Sequence, residues 1–458
     1  MEIQTINPLN SQILSTYQVH TDQQVQMTIT QSKQAYLQYR QMCSFADRSV
    51  FLHQIAKGLR EQKDILARQM ALEIGKPIMD GRAEVEKSAQ GLEFFADNAM
   101  TLFKDQLLQS TQYSEVITHP EPIGPILGVM PWNYPLWQVV RFLAPNLMLG
   151  NSFIIKPAEM VLGTNAIFQN IIAKVSPVAN LVQTSLVLHS QMHHFYESTD
   201  IRGVTFTGSE RVGKIIGAQA AGHLKKVVLE LGGSDAYIVL PDADVELAAQ
   251  VCAQARMVNN GQSCIAGKRF IVHKKVRELF LEKMVLELEK WQQGDPLLKT
   301  TQVGPMAAER FWNCLFQQTQ ELQATGWDLF WSSDSQKPFF PIQIYTWFHS
   351  AKLKLEDVFY TEELFGPVAL VVEYENEADA VLYANQSPYG LGAGIFSRNI
   401  EQAKELAKQL ECGMVAINTN VRSEPAVSFG GMKNSGFGRE LGTAGALEFA
   451  NLKSILVN

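Results

Sequence analysis

Between residues 126 and 240, short aliphatic and β-branched runs at 126–130, 153–155, 186–188, 204–206, 227–229 and 238–240 alternate with stretches of helical periodicity. Strands separated by helices run parallel, because a parallel connection needs a crossover long enough to return the chain to the same end of the sheet. The alternation therefore predicts a doubly wound α/β domain with a Rossmann-like parallel sheet. A chain of 458 residues, 46% hydrophobic and 19% charged, has room for more than one core, and two or three domains are expected.

Upstream the pattern is helical. Leu52, Ile55, Leu59, Leu66, Met70 and Ile74 recur at helical spacing after a capping Asp47, and Gly75-Lys76-Pro77 ends the segment. A second helix is expected over 80–103. Residues 113–118 are β-rich and followed by Pro120 and Pro122, which predicts an exposed strand or hairpin arm open to pairing between subunits. The aromatic and polar stretch 326–350 lacks periodicity and reads as loops with uncertain strands. No internal repeat occurs.

Composition narrows the functions. The formal charge of -7 and the lack of a Lys/Arg-rich run leave no footprint for nucleic acid, so small molecules are the expected partners. The N-terminus has no basic flank or apolar core, and no stretch has the apolar length of a membrane span, so a cytoplasmic chain is expected. Five widely spaced cysteines without a Cys-x-x-Cys predict reduced thiols. His193-His194 lacks a third ligand at suitable spacing, so it reads as a polar loop and no metal is expected. Cys252 lies in an alanine-rich helical stretch, and Cys43, Cys314 and Cys412 read as structural.

Cys264 stands apart because it ends Asn-Asn-Gly-Gln-Ser-Cys, 259–264, between polar glycine turns. Four other segments accompany it: Pro-Trp-Asn at 131–133, Glu-Leu-Gly-Gly at 230–233, Glu-Glu-Leu-Phe-Gly-Pro at 362–367 and Phe-Gly-Gly-Met-Lys-Asn-Ser-Gly at 429–436. Singly, each has an ordinary structural reading. Such a cysteine is more often inert and packed, Asn133 closes a turn before Pro135, and Glu230 is a strand-end carboxylate facing solvent. No G-x-G-x-x-G follows a predicted strand. Phe206-Thr-Gly208-Ser209-Glu-Arg-Val212-Gly213 instead runs from a strand through a glycine turn into a helix, where free amides and a hydroxyl can meet a pyrophosphate. Lys156 and Glu159 end another strand, as surface charges or as ribose contacts.

Taken in this order, the segments resemble the aldehyde dehydrogenase superfamily from about residue 7 to the C-terminus. The resemblance implies that Cys264 attacks an aldehyde carbonyl, and that Asn133 and the Cys264 N–H stabilise the resulting oxyanion. Glu230 would then activate water against the thioester, which favours hydrolysis to a free acid over transfer to a thiol. Lys156 would assist proton movement. For the cofactor, it implies Lys156 and Glu159 at the adenosine ribose, Gly208 and Ser209 at the phosphates, and Val212 at the adenine. Trp132 and Leu231 would line the cleft, and Glu363 and Phe365 would hold the nicotinamide ribose. A carboxylate at Glu159 accepts hydrogen bonds from a 2′-hydroxyl and repels a 2′-phosphate, which favours NAD, with NADP as the alternative.

For the substrate, Arg141 follows Asn133 by two turns, and a helix there would aim its guanidinium at the substrate mouth. The chain is especially similar to compact bacterial succinate-semialdehyde dehydrogenases, which carry an arginine at the matching position. It departs from some of them at Val258 and Ala266, where a second arginine and a second cysteine occur. Arg422 or Ser423 could supply the missing carboxylate contact, or be exposed loop residues. Two other readings stay open: a broad aldehyde dehydrogenase for neutral aldehydes, and a catalytically silent nicotinamide-binding protein. The family fold implies a cofactor domain over 1–107 and 124–233, a catalytic domain over 234–425, an oligomerisation arm over 108–123 with the tail 426–458, and a homodimer or homotetramer.

Overall fold

The computed structural model describes residues 1–349 and 353–458. The doubly wound region forms a six-stranded sheet, in spatial order Gly436–Phe437, Lys226–Glu230, Gly203–Thr207, Ile126–Val129, Phe153–Lys156 and Val182–Thr184. Gly436–Phe437 pairs antiparallel and all other neighbours are parallel. The strand order reverses at Ile126–Val129, which opens a crevice at the carboxyl ends of the strands. Alternate residues serve opposite faces. Ile126, Phe153, Ile155 and Val228 join a core with the helices Phe45–Glu61, Ile78–Leu102 and Trp137–Leu149. Leu127, Val129, Ile154 and Leu229 pack on the other side with Val25, Ile29, Ile216 and Ala220.

A second, seven-stranded sheet has the order Asp328–Ser332, Gln343–Trp347, Val368–Tyr374, Gly267–His273, Asp235–Val239, Gly392–Phe396 and Met414–Ile417. Only its first pair is antiparallel. It too is buried on both faces, with Ile238, Ile271 and Leu370 on one side and Tyr237, Phe270 and Val371 on the other. A third sheet pairs Glu115–Pro122 with Ala450–Val457 along eight residues and with Gln106–Leu108.

Several expectations need correction. The helix expected after Asp47 is two helices, Phe45–Glu61 and Lys63–Ile74, and Ser44 is the N-cap, with Asp47 returning the second bond of a capping box. The strand expected at 186–188 lies at Val182–Thr184. The stretch read as loops contains Asp328–Ser332 and Gln343–Trp347, whose pairing supplies what local pattern does not; residue 350 lies outside the described residues. His193 and His194 open the short helix His193–Glu197 rather than a loop, and the His194 ring meets Gln26 at 3.1 Å. The segment 426–449 does not follow the arm, since Met432–Lys433 pairs with Tyr389–Gly390 and Gly436–Phe437 with Lys226–Glu230. Residue 107 falls inside the strand Gln106–Leu108, so it is no boundary.

One buried ion pair positions the helices that frame the site. Lys76 and Glu84, each 1% exposed, contact one another, and Glu84 Oε1 also accepts the N–H groups of Leu136 and Trp137 at 2.9 and 3.1 Å. The carboxylate thus caps the start of Trp137–Leu149, where no local side chain does so. Replacing Glu84 with Gln keeps an acceptor but strands the Lys76 charge. The expected loss is about 3 kcal/mol in urea unfolding, with part of it restored when Lys76→Met is added.

Candidate active site

The site lies where the carboxyl edge of the six-stranded sheet meets the amino edge of the seven-stranded one. Asn133 and Glu230 follow or end strands of the first, and Cys264 precedes Gly267–His273 in the second. Asn259, Asn260 and Gly261 all have positive φ, at 52°, 58° and 72°. Asparagine and glycine tolerate this left-handed conformation, which is the physical reason for Asn-Asn-Gly before the cysteine. A Cβ at Gly261 would lie 2.5 Å from the Gly366 backbone. The turn is pinned by the fully buried Arg256, whose Nη2 donates to the Gly261 carbonyl at 2.6 Å.

The peptide around Cys264 is held by its carbonyls. Asn133 Nδ2 and Asn259 Nδ2 both donate to the Gln262 oxygen at 3.1 Å. Lys268 Nζ donates to the oxygens of Ser263 and Cys264 at 2.8 and 2.7 Å. The Cys264 N–H finds no acceptor among the described residues, and Asn133 keeps a second amide hydrogen, so two donors are left to meet a developing oxyanion. Burial pushes the Cys264 thiol up to about 12, with Arg141 and Lys268 opposing it. The resting group is a thiol, and attack requires a proton acceptor.

Glu230 is the carboxylate that could later act as a base toward water. It is 2% exposed at the end of Lys226–Glu230, and neither carboxylate oxygen has a hydrogen-bond partner among the described residues. The solvent-facing reading of this carboxylate is thereby excluded. Gly430, at φ 150°, gives it room: a Cβ there would sit 2.6 Å from Oε1. Desolvation raises its proton affinity well above the carboxylate range, and the nearby Glu440 raises it further.

The cofactor residues spread along the crevice. Gly208 and Ser209 follow Gly203–Thr207, and Ser209 begins the helix Glu210–Gly222 without a capping bond from its side chain. The first amides of that thirteen-residue helix therefore remain open at its positive end and, with the free hydroxyl, fit a pyrophosphate. Val212 and Leu231 pack in one apolar cluster beside this turn. Trp132 stacks on Phe311 at 4.8 Å and meets Phe365 edge-on at 5.8 Å. Glu363 accepts the Gly233 N–H at 3.2 Å and pairs with Lys268 at 3.3 Å. Lys156 is buried, and desolvation lowers its proton affinity while Glu159 raises it. Glu159 itself is exposed and lines a hollow of about 560 Å³ with Asn7, Arg310 and Lys337.

Cys264 opens into a cavity of about 350 Å³ that also holds Arg141, Arg422 and Ser423. Arg141 differs from the expected free anchor. It is 3% exposed, forms an ion pair with the buried Glu440, and stacks 4.6 Å from the centre of the Phe429 ring. Ser423 is buried and accepts the Trp137 indole N–H at 2.8 Å, while Arg422 is exposed at the rim. Lys268, Glu440 and Arg256 are among the charged residues that sequence reading missed. Each stands within four residues of a motif, Arg256 before Asn259, Lys268 after Cys264 and Glu440 after Gly436, and that proximity was the available signal.

The model of the aldehyde dehydrogenase family matches residues 1–455. The chain is 37% identical to a probable succinate-semialdehyde dehydrogenase (NADP+) of Synechocystis sp., over the whole of both chains. It is 36% identical, again over both full lengths, to succinate-semialdehyde dehydrogenase (NADP+) 1 of Mycobacterium ulcerans. The crystal structure of succinic semialdehyde dehydrogenase from Streptococcus pyogenes in complex with NADP+ superposes with a TM-score of 0.95, at 32% identity and 99% coverage of each chain.

Cys264 is half-buried, and its thiol, raised in proton affinity, should react slowly near neutrality. Without ligands, alkylation of Cys264 by iodoacetamide is expected to be slow at pH 7 and to rise about tenfold per pH unit up to pH ~10, because only the thiolate reacts. Peptide mass spectrometry follows it, with the exposed Cys314 as internal comparison. A rate already level by pH 8 would contradict the burial argument.

Proposed function

This chain belongs to the aldehyde dehydrogenase family and oxidises an aldehyde to a carboxylic acid with NAD(P), and we propose that its aldehyde is a short semialdehyde bearing a distal carboxylate, with succinate semialdehyde foremost. The observation that carries the substrate is the cavity of about 350 Å³, in which Cys264 shares its walls with Arg141, Arg422 and Ser423. A cavity of that size admits a four-carbon chain, and guanidinium groups suit a carboxylate. The names of the relatives point the same way.

Cys264 gives its proton to water in the cavity and its thiolate attacks the aldehyde carbon, and Asn133 Nδ2 and the Cys264 N–H receive the oxyanion. NAD(P), when bound between Trp132, Ser209 and Glu363, would supply the hydride acceptor for oxidation at Cys264. Glu230, ionised, draws a proton from the water that hydrolyses the Cys264 thioester. Its raised proton affinity makes it a stronger base than an exposed carboxylate, but keeps it protonated up to higher pH; turnover accordingly rises as pH increases.

NAD is favoured by the carboxylate of Glu159, which would repel a 2′-phosphate. Arg310 and Lys337 share its hollow and are the cations through which NADP would compete. The relatives named above are NADP+ enzymes, so the cofactor is the sharper test. A homodimer or homotetramer is supported by the arm sheet, which exposes Leu107, Leu108, Leu452, Ile455 and Leu456. No helix among the described residues is long and apolar enough to cross a membrane, which accords with a cytoplasmic location.

Initial rates with succinate semialdehyde and with butanal, each with NAD and NADP, test this reading. The expected result is a clear preference in kcat/KM for the carboxylated aldehyde; equal or better use of butanal retires that substrate. Higher kcat/KM with NADP than with NAD would retire the Glu159 argument. Glu230→Gln should leave a first burst of reduced cofactor and cut steady turnover about 10²- to 10⁴-fold, since only hydrolysis loses its base. Loss of the burst as well would place Glu230 earlier in the reaction.

A further inference from the structure

The cavity beside Cys264 contains one more cation, Lys87 on the helix Ile78–Leu102. Its Nζ donates to Ser423 Oγ at 3.3 Å and lies 4.8 Å from the centre of the Trp137 ring. Both contacts are built into the fold. Glu84, one turn earlier on the same helix, is committed to Lys76 and to the amides of Leu136 and Trp137, which sets the two helices against each other. Gly91, one turn later, makes a notch for the indole: a Cβ there would come 2.6 Å from Trp137 Cζ3.

The hydrogen bonding at Ser423 is directional. Its Oγ accepts from Lys87 and from the Trp137 indole, and both of those groups can only donate. Two lone pairs are thereby used, and the hydroxyl hydrogen is left to give. It has no acceptor among the described residues.

Lys87 is equally incomplete. No carboxylate among the described residues lies within ion-pair range of it, and Val258, on the same cavity, offers no charge. Burial lowers its proton affinity to about 8; Glu424 and Glu84 raise it, while Arg141 and Arg422 add to the fall. A half-buried ammonium among other cations is stabilised by an anion placed between them. Arg141 is already paired with Glu440, so it cannot alone neutralise such an anion.

We propose that Lys87 is a specificity-determining residue of this enzyme, receiving the distal carboxylate of the substrate together with the hydroxyl hydrogen of Ser423. The ammonium supplies charge, and the hydroxyl a directed hydrogen bond. Glu84 and Trp137 hold the pair in place. This assignment rests on the semialdehyde reading above and names the side chains that would execute it.

The test uses the full-length enzyme and its Lys87→Met and Lys87→Arg variants, with kcat and KM measured for succinate semialdehyde and butanal. In Lys87→Met the ratio of kcat/KM for the two aldehydes should fall about 10- to 100-fold, chiefly through KM for the carboxylated one. Lys87→Arg should regain most of that ratio, which a packing defect would not allow. Succinate binding, followed by calorimetry, should weaken in parallel. An equal loss on both aldehydes, or an unchanged ratio in Lys87→Met, overturns the assignment while leaving the semialdehyde reading intact. If the unmodified enzyme itself shows no preference for the carboxylated aldehyde, the semialdehyde reading falls and the role of Lys87 falls with it.

Discussion

Three consecutive carbonyls, those of Gln262, Ser263 and Cys264, fix the peptide at the seam between the two halves of the molecule. Asn133 reaches the first from the six-stranded sheet, and Lys268 reaches the other two from within the seven-stranded one. Donors converging on successive carbonyls fix the peptide plane, and so the direction of the N–H between them. The direction of that N–H is what an oxyanion site requires, since its donors must be aimed before charge develops. The left-handed Asn259–Asn260–Gly261 turn brings the chain into this position, and the buried guanidinium of Arg256 keeps it there.

Around this seam the protein buries charge and compensates most of it. Lys76 has Glu84, Lys268 has Glu363, and Arg141 has Glu440. Charged groups removed from water and left uncompensated are the exceptions, and they coincide with the proposed chemistry. Glu230 has no hydrogen bond, and Lys87 has no carboxylate, among the described residues. Burial moves each toward its neutral form, so each gains from a partner that arrives only with substrate or water. Arg141 illustrates the converse. Its ionic contact with Glu440 makes it a wall of the cavity whose charge is partly spent inside the protein.

Much of this was legible along the chain. The alternating strands and helices predict a doubly wound sheet, and four of the six predicted runs lie on strands of the six-stranded sheet, while 238–240 overlaps Asp235–Val239 of the seven-stranded one. The Val182–Thr184 strand was misplaced because its neighbours at 186–188 are the more apolar, and pairing with Phe153–Lys156 chose the register. Asp328–Ser332 and Gln343–Trp347 had no alternating pattern to reveal them, since they are defined by each other and by Val368–Tyr374. Cys264 and Glu230 stand out along the chain because Asn259-Asn260-Gly261 and Gly232-Gly233 lie beside them, residues whose backbone conformations are informative in themselves, whereas Asn133, between Trp132 and Tyr134, is marked only by the family resemblance.

Sequence alone determined the α/β class and the family to which the chain belongs, and singled out Cys264 as the candidate nucleophile, because periodicity, turn chemistry and motif order are local properties. Tertiary structure decided how the charges are paired and oriented. Arg141 and Glu440, or Lys87 and Ser423, lie about three hundred residues apart in the chain, and nothing near a lysine in a helix says whether it faces water or a cavity. That facing is set by Glu84 clamping one helix to the start of another, and by a glycine notch that admits Trp137, both contacts that exist only after the chain has closed on itself.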